Sequence, residues 1–226
     1  MKQNFFEFRF SNLSENNHFC LSKKNYLAFN LISAWPKWSI KNVLIYGPKS
    51  CGKTLICSIW KSKAKAEIIY PGLLKKKNIG EIEKIKKGSS LIFEDIDILI
   101  NSKIVDEEMI LFLFNILKEK ECFFIFTSSK NPKQMNLSLE DLRSRLFSSM
   151  IVELESPDDD LIKKIIQTKL KQKQITISNE NLNFLIKRID RDYNAAIAVS
   201  ELIDKQSMVS KSNISKLFLR KIINLI

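Results

Sequence analysis

Hydrophobic positions fall into short unbroken runs separated by stretches of helical spacing. NVLIY (Asn42–Tyr46), EIIYP (Glu67–Pro71), SLIFEDID (Ser90–Asp97), CFFIFTSS (Cys122–Ser129) and MIVELE (Met150–Glu155) read as five strands. Their continuous apolar, β-branched and aromatic character suits strands buried on both faces. Helical spacing marks Lys24 to Trp35, the TLICSIWKSKA stretch beginning at Thr54, and Val105–Lys120. Pro36 closes the first of these, because it lacks an N–H and clashes with the preceding turn. Strands alternating with helices predict an α/β fold, a parallel five-stranded sheet with helices on both faces. The ligand of such a sheet lies at the carboxyl ends of its strands.

From Ser156 the pattern changes. SPDDD predicts a helix start, with Ser156 as cap, Pro157 at the first position and the aspartates against the positive end of the dipole. Helical segments follow at 159–173, 178–190, 192–205 and 210–224, with no further strand signal. The chain therefore divides into an N-terminal arm (1–17), an α/β domain (18–155) and a small all-helical lid domain (156–226).

The strongest chemical signal sits where the first strand ends. Gly47-Pro48-Lys49-Ser50-Cys51-Gly52-Lys53-Thr54 is a complete GxxxxGK[ST] motif between a strand and a helix. Its glycines let backbone N–H groups approach phosphates closely, Lys53 would neutralise the outer phosphates, and Thr54 would ligate Mg2+. Chance gives this motif in roughly one per cent of chains this long. A second signal, Leu91 to Asp97, ends a strand in carboxylates, as a Walker B segment does. Asp95 is the first choice for the hydrolytic acid, Glu94 for the metal side, and Asp97 reads as a solvated loop charge. Thr127-Ser128-Ser129 ends another strand where polar groups can hold an attacking water. In Leu142-Arg143-Ser144-Arg145 an arginine can reach the γ-phosphate of a neighbouring subunit.

Composition narrows the picture. No apolar run reaches the roughly 18–20 residues that cross a bilayer, and the N-terminus lacks a secretory signal pattern. A cytoplasmic protein without membrane contact is expected. Cys20, Cys51, Cys57 and Cys122 form no CxxC pair, so they read as small buried residues and not as a disulfide framework. His18 is the sole histidine, which excludes a histidine-rich metal site. The net charge of +12 invites a nucleic-acid reading. The lysines are scattered, however, and the Lys, Ile and Asn excess also fits an A+T-rich coding bias.

These parts in this order resemble the AAA+ family, specifically its DnaA/Hda branch, over nearly the whole chain. Phe19–Ala28, which contains Asn25, looks like the branch's lead-in segment beside the adenine. Trp35-Pro36-Lys37-Trp38 and the loop after it look like the α-proteobacterial Hda relatives, and Phe114–Leu117 resembles the FNxL helix. Thr127-Ser128-Ser129 stands for the TSD strand end, and Leu142–Leu146 for the stretch carrying an arginine finger at Arg145.

DnaA continues into a helix-turn-helix domain where this sequence ends, so the resemblance leans to Hda. It implies bound ADP or ATP with Mg2+, and weak or no intrinsic ATPase activity. The implied partners are DnaA and the sliding clamp (the DNA polymerase III β subunit), with DNA reached indirectly through the clamp and a homodimer as one arrangement. Gln3, Phe6 and Phe8 match the clamp-binding peptide, with Asn4 in place of its leucine. Such a protein restrains replication initiation by making DnaA hydrolyse its ATP. Two departures stand out: Glu94 occupies the position of the usual Asp, and Asn194 that of the lid arginine. The alternative is a self-assembling AAA+ ATPase such as a helicase loader.

Overall fold

A computed structural model describes residues 19–210 and 214–225. Its α/β part runs α1 (Tyr26–Ser33), β1 (Asn42–Tyr46), α2 (Lys53–Ala64), β2 (Glu67–Ile68), α3 (Ile79–Glu83) and β3 (Ser90–Phe93). It continues with α4 (Ile96–Asn101), α5 (Glu107–Glu119), β4 (Phe123–Ser128), α6 (Glu140–Phe147) and β5 (Met150–Glu153). The strands form one sheet in the order β2-β3-β4-β1-β5, and every pairing is parallel. The expected architecture is thus present.

The period of two along each strand sorts its side chains between two cores. Leu44, Leu91, Phe93, Phe124 and Phe126 face the layer that holds α5 and α6. Val43, Ile45, Ile92 and Ile125 face α1 and α2 on the other side. Phe114 of α5 stands edge-on to Phe124 at 5.1 Å, and Trp38 stacks on Trp60 at 5.2 Å. Both faces of the central strands are therefore dry, which explains their unbroken apolar runs.

The lid consists of α7 (Asp159–Gln172), α8 (Asn179–Ile186), α9 (Tyr193–Ser210) and α10 (Lys216–Ile223). It has its own core, including Leu161, Ile165, Leu185, Val199 and Leu219. Cys20, from the segment ahead of α1, is buried in that core. Among the described residues no helix is long and apolar enough to cross a membrane.

Several elements depart from the sequence pattern. The β2 ladder covers only Glu67–Ile68. Ile69 still donates to the Ile92 carbonyl at 2.8 Å, and the chain then turns into a 3-10 turn at Pro71–Leu73. Pro71 has no N–H to extend an edge ladder. The helix expected to reach Trp35 ends at Ser33, consistent with the restriction proline places on the residue before it. The third run stops being strand at Phe93, because Asp95 takes a left-handed conformation (φ 56°) and α4 begins directly after it. The lid's first cap is Asp158 rather than Ser156: its carboxylate accepts from the Leu161 N–H at 2.9 Å.

Candidate functional site

β1 delivers the chain from between β4 and β5 straight into the glycine loop, and α2 leaves it. The loop is fixed to the sheet by the Gly47 N–H, which donates to the Ser128 carbonyl at 3.1 Å. Gly47 is required by contact: a Cβ there would lie 2.1 Å from the Leu154 carbonyl oxygen and 2.8 Å from Cys51 Sγ. Gly52 is required by conformation, since it caps α2 with φ 106°. Ser50 also lies in the left-handed region, at φ 59°.

Lys53, in the first turn of α2, is buried and donates from Nζ to the carbonyls of Gly47 (2.7 Å) and Pro48 (3.0 Å). Its ammonium is thus aimed along the loop. Thr54 next to it is exposed, and its hydroxyl makes no hydrogen bond among the described residues. Pro48 and Lys49 are exposed at the loop's tip, and Cys51 is buried beneath it.

Glu94 and Asp95 follow the carboxyl end of β3. The Asp95 N–H donates to Thr127 Oγ1 at 2.9 Å, which ties the acidic turn to the end of β4. Burial pushes the Cys57 thiol on α2 well above its usual range, with Glu94 and Asp95 adding to the shift and Lys53 opposing it. All three charges therefore act on one buried position of α2. Glu94 Oε1 is buried and has no hydrogen-bond partner among the described residues. An orphaned carboxylate oxygen of that kind fits a hard cation such as Mg2+, with Thr54 as a second oxygen ligand. A polyphosphate fits the loop's backbone and Lys53.

The other expected residues are distributed differently. Asn25 is buried, and its amide group is fully engaged. Its Oδ1 accepts from the Ser22 N–H (2.8 Å), while Nδ2 donates to the Cys20 carbonyl (2.9 Å) and Tyr193 Oη (3.3 Å). Ser128 is buried, and its hydroxyl donates to the Lys130 carbonyl at 2.7 Å. Arg145 lies half-buried on α6 with no hydrogen bond or ion pair for its guanidinium among the described residues. Arg143 on the same helix is occupied, donating to Glu140 (3.0 Å) and to the Leu137 carbonyl (2.8 Å). Gln3, Phe6, Phe8 and His18 lie outside the described residues.

Asp97 corrects the sequence reading. It is buried, at 3% exposure, and its carboxylate accepts from the Ser129 N–H (2.9 Å) and from the Ser129 hydroxyl. It locks the start of α4 to the end of β4. Nothing local distinguishes it from a loop charge, since its partner is brought in by strand order alone.

Glu107 is a second residue the sequence did not mark. Its carboxylate accepts from the Ser138 N–H (3.0 Å), the Ser138 hydroxyl (2.9 Å) and the Leu139 N–H (2.7 Å), just ahead of α6. Burial raises its pKa, but these bonds and nearby Arg143 outweigh burial and hold it below the usual range. Glu107 thereby fixes the start of the helix that carries Arg145.

The lid closes over the loop from one side. The Tyr193 N–H donates to the Ser50 carbonyl (3.0 Å), and Asn194 Nδ2 donates to Ser50 Oγ (2.9 Å). An open cleft of about 420 Å³ lies there, lined by Lys49, Ser50, Asp190, Asp192 and Asn194.

A glycine loop after β1 of a 2-3-4-1-5 parallel sheet, an acidic turn beside it and a helical part after it match the AAA+ fold. Comparison with known proteins agrees on the fold. No family model matches the sequence. An uncharacterized protein of Haemophilus influenzae is 29% identical over 189 residues, 80% of each chain. Domain III of the Thermotoga maritima replication initiation protein DnaA superposes with a TM-score of 0.75 at 16% identity, covering 91% of this chain and 93% of that one. AMPPCP-bound DnaA from Aquifex aeolicus gives 0.71 at 23% identity, over 84% of this chain. This chain spans 64% of that DnaA. A point variant of Thermotoga maritima RuvB gives 0.70 at 17% identity, covering 89% of this chain and 67% of that one.

Proposed function

We propose that the chain is a nucleotide-dependent regulator of replication initiation. In this reading it holds ADP or ATP with Mg2+ in the Gly47–Thr54 loop and docks on the DNA-loaded sliding clamp through Gln3, Phe6 and Phe8. It then presents Arg145 to ATP held by DnaA. The observation that carries the reading is the contrast on α6, where Arg143 is tied down and Arg145 has no partner among the described residues of its own chain. An uncommitted guanidinium on a helix fixed by Glu107 can be redirected to a neighbour's phosphate without breaking an internal bond. Such a finger is worth ~10³–10⁵ in rate.

Within the chain's own site, Lys53 binds phosphate, Thr54 and Glu94 hold the cation, and Asp95 orients water. Mg2+ there would draw charge off the phosphate oxygens. The longer Glu94 and the Asn194 position favour binding over turnover. The DnaA-like fold supports DnaA as partner, and the clamp arm rests on the sequence resemblance of the N-terminal peptide. The complete Lys53, Thr54, Glu94 and Asp95 set also supports a second reading, a self-assembling ATPase such as a helicase loader.

Binding of fluorescent mant-ADP by the wild type, lost in Lys53→Ala, together with retention on immobilised clamp that Phe6→Ala/Phe8→Ala abolishes, is the expected pair of results. Nucleotide binding with no clamp retention, joined to rapid intrinsic hydrolysis, would transfer the chain to the second reading.

A further inference from the structure

Ser50 sits at φ 59° inside the phosphate loop, a conformation that a side chain disfavours and that surrounding contacts must maintain. The contacts that reach it come from the lid. The Tyr193 N–H binds its carbonyl, and the Asn194 side-chain amide binds its hydroxyl. The first turn of α9 is in turn held rigidly. Tyr193 is buried, its ring lies 3.1 Å from where a Cβ of Gly52 would be, and Asn25 Nδ2 bonds its hydroxyl. The same Asn25 amide grips the Cys20 carbonyl ahead of α1. Three segments distant in sequence, the stretch around Asn25, the phosphate loop and the first turn of α9, thus meet at Tyr193.

We infer that Asn194 is a positioning residue for the phosphate loop: it holds Ser50 in its left-handed conformation and so sets nucleotide affinity through the loop. The inference rests on the nucleotide-binding reading above. Its physical basis is that a binding loop already held in its bound shape does not have to be ordered by the ligand. Asn194 is exposed, so replacing it does not open the lid core.

The test is a cycle of four full-length proteins titrated with mant-ADP: wild type, Asn194→Ala, Ser50→Gly and the double variant. Loss of one neutral hydrogen bond predicts about three- to tenfold weaker binding for Asn194→Ala. Glycine adopts the left-handed region freely and has no hydroxyl. In the Ser50→Gly background, therefore, Asn194→Ala should change affinity by less than about twofold. A purely structural role for Asn194 in the lid would weaken binding equally in both backgrounds, and that result overturns the inference while leaving nucleotide binding intact. An Asn194→Ala protein with wild-type affinity overturns it as well. If the wild type takes up no mant-ADP, the nucleotide-binding reading falls and the inference falls with it.

Discussion

Replacing Asp97 with alanine separates the structural account from what the sequence pattern alone implies. Its carboxylate accepts both the backbone N–H and the hydroxyl of Ser129 in a buried setting. A hydrogen bond to a charged group is worth about 1.5–3 kcal/mol, and an abandoned buried donor costs about 1–3 kcal/mol. The Ser129 hydroxyl can rotate toward another acceptor, whereas the backbone N–H cannot, so the loss is nearer one bond than two. Asp97→Ala should therefore destabilise the fold by about 2–4 kcal/mol. Asp97→Asn keeps one acceptor oxygen for the N–H, which places it near ~1 kcal/mol.

Urea unfolding followed by circular dichroism, with stability taken from midpoint and slope, measures both. Glu201→Ala is the control: that side chain is exposed in the middle of α9, and its change should stay within about 0.5 kcal/mol. If Asp97→Ala also stays within that margin, Asp97 is a solvated charge, and the proposed lock between α4 and β4 does not exist.

Two further perturbations test other parts of the site. Gly47→Ala drives a Cβ into the Leu154 carbonyl and should abolish mant-ADP binding and lower the melting temperature; a variant that binds and melts normally contradicts the packing. Glu107 has a lowered pKa in the fold, so its contribution is present above the unfolded value of about 4.3 and lost as pH falls through the folded one. Glu107→Gln should thus be less stable than wild type at pH 7, with the gap closing below about pH 4. A gap that stays constant across thermal melts from about pH 3 to 7 argues against the carboxylate's bonds.

The parts of this molecule legible in sequence are those specified by contiguous residues. β1, the glycine loop and α2 follow from one stretch, Asn42–Ala64, because the strand's apolar run, the glycines and the Lys53-Thr54 pair each impose their conformation locally. The two-faced sheet was legible for the same reason. What escaped depends on residues brought together from afar. Asp97 looks like any polar loop residue until β4 delivers Ser129 beside it. Asn194 reads as a lost contact in the pattern, yet in the fold it reaches Ser50 across the lid. The resemblance puts Asn25 beside the base, and in the fold its side chain joins Ser22, Cys20 and Tyr193. The lid's cap moved from Ser156 to Asp158 because local capping signals compete, and the one whose carboxylate meets the Leu161 N–H prevails.

The central claim is that Arg145 acts on a nucleotide held by another protein. The direct measurement is ATP hydrolysis by the host's DnaA, with clamp loaded on DNA, in the presence of this protein or its Arg145→Ala and Arg143→Ala forms. Clamp-dependent stimulation is expected, which Arg145→Ala lowers by about a thousandfold or more, while clamp binding persists and Arg143→Ala acts only as far as it loosens α6. Full stimulation by Arg145→Ala, or turnover by this chain alone that needs neither DnaA nor clamp, would contradict it.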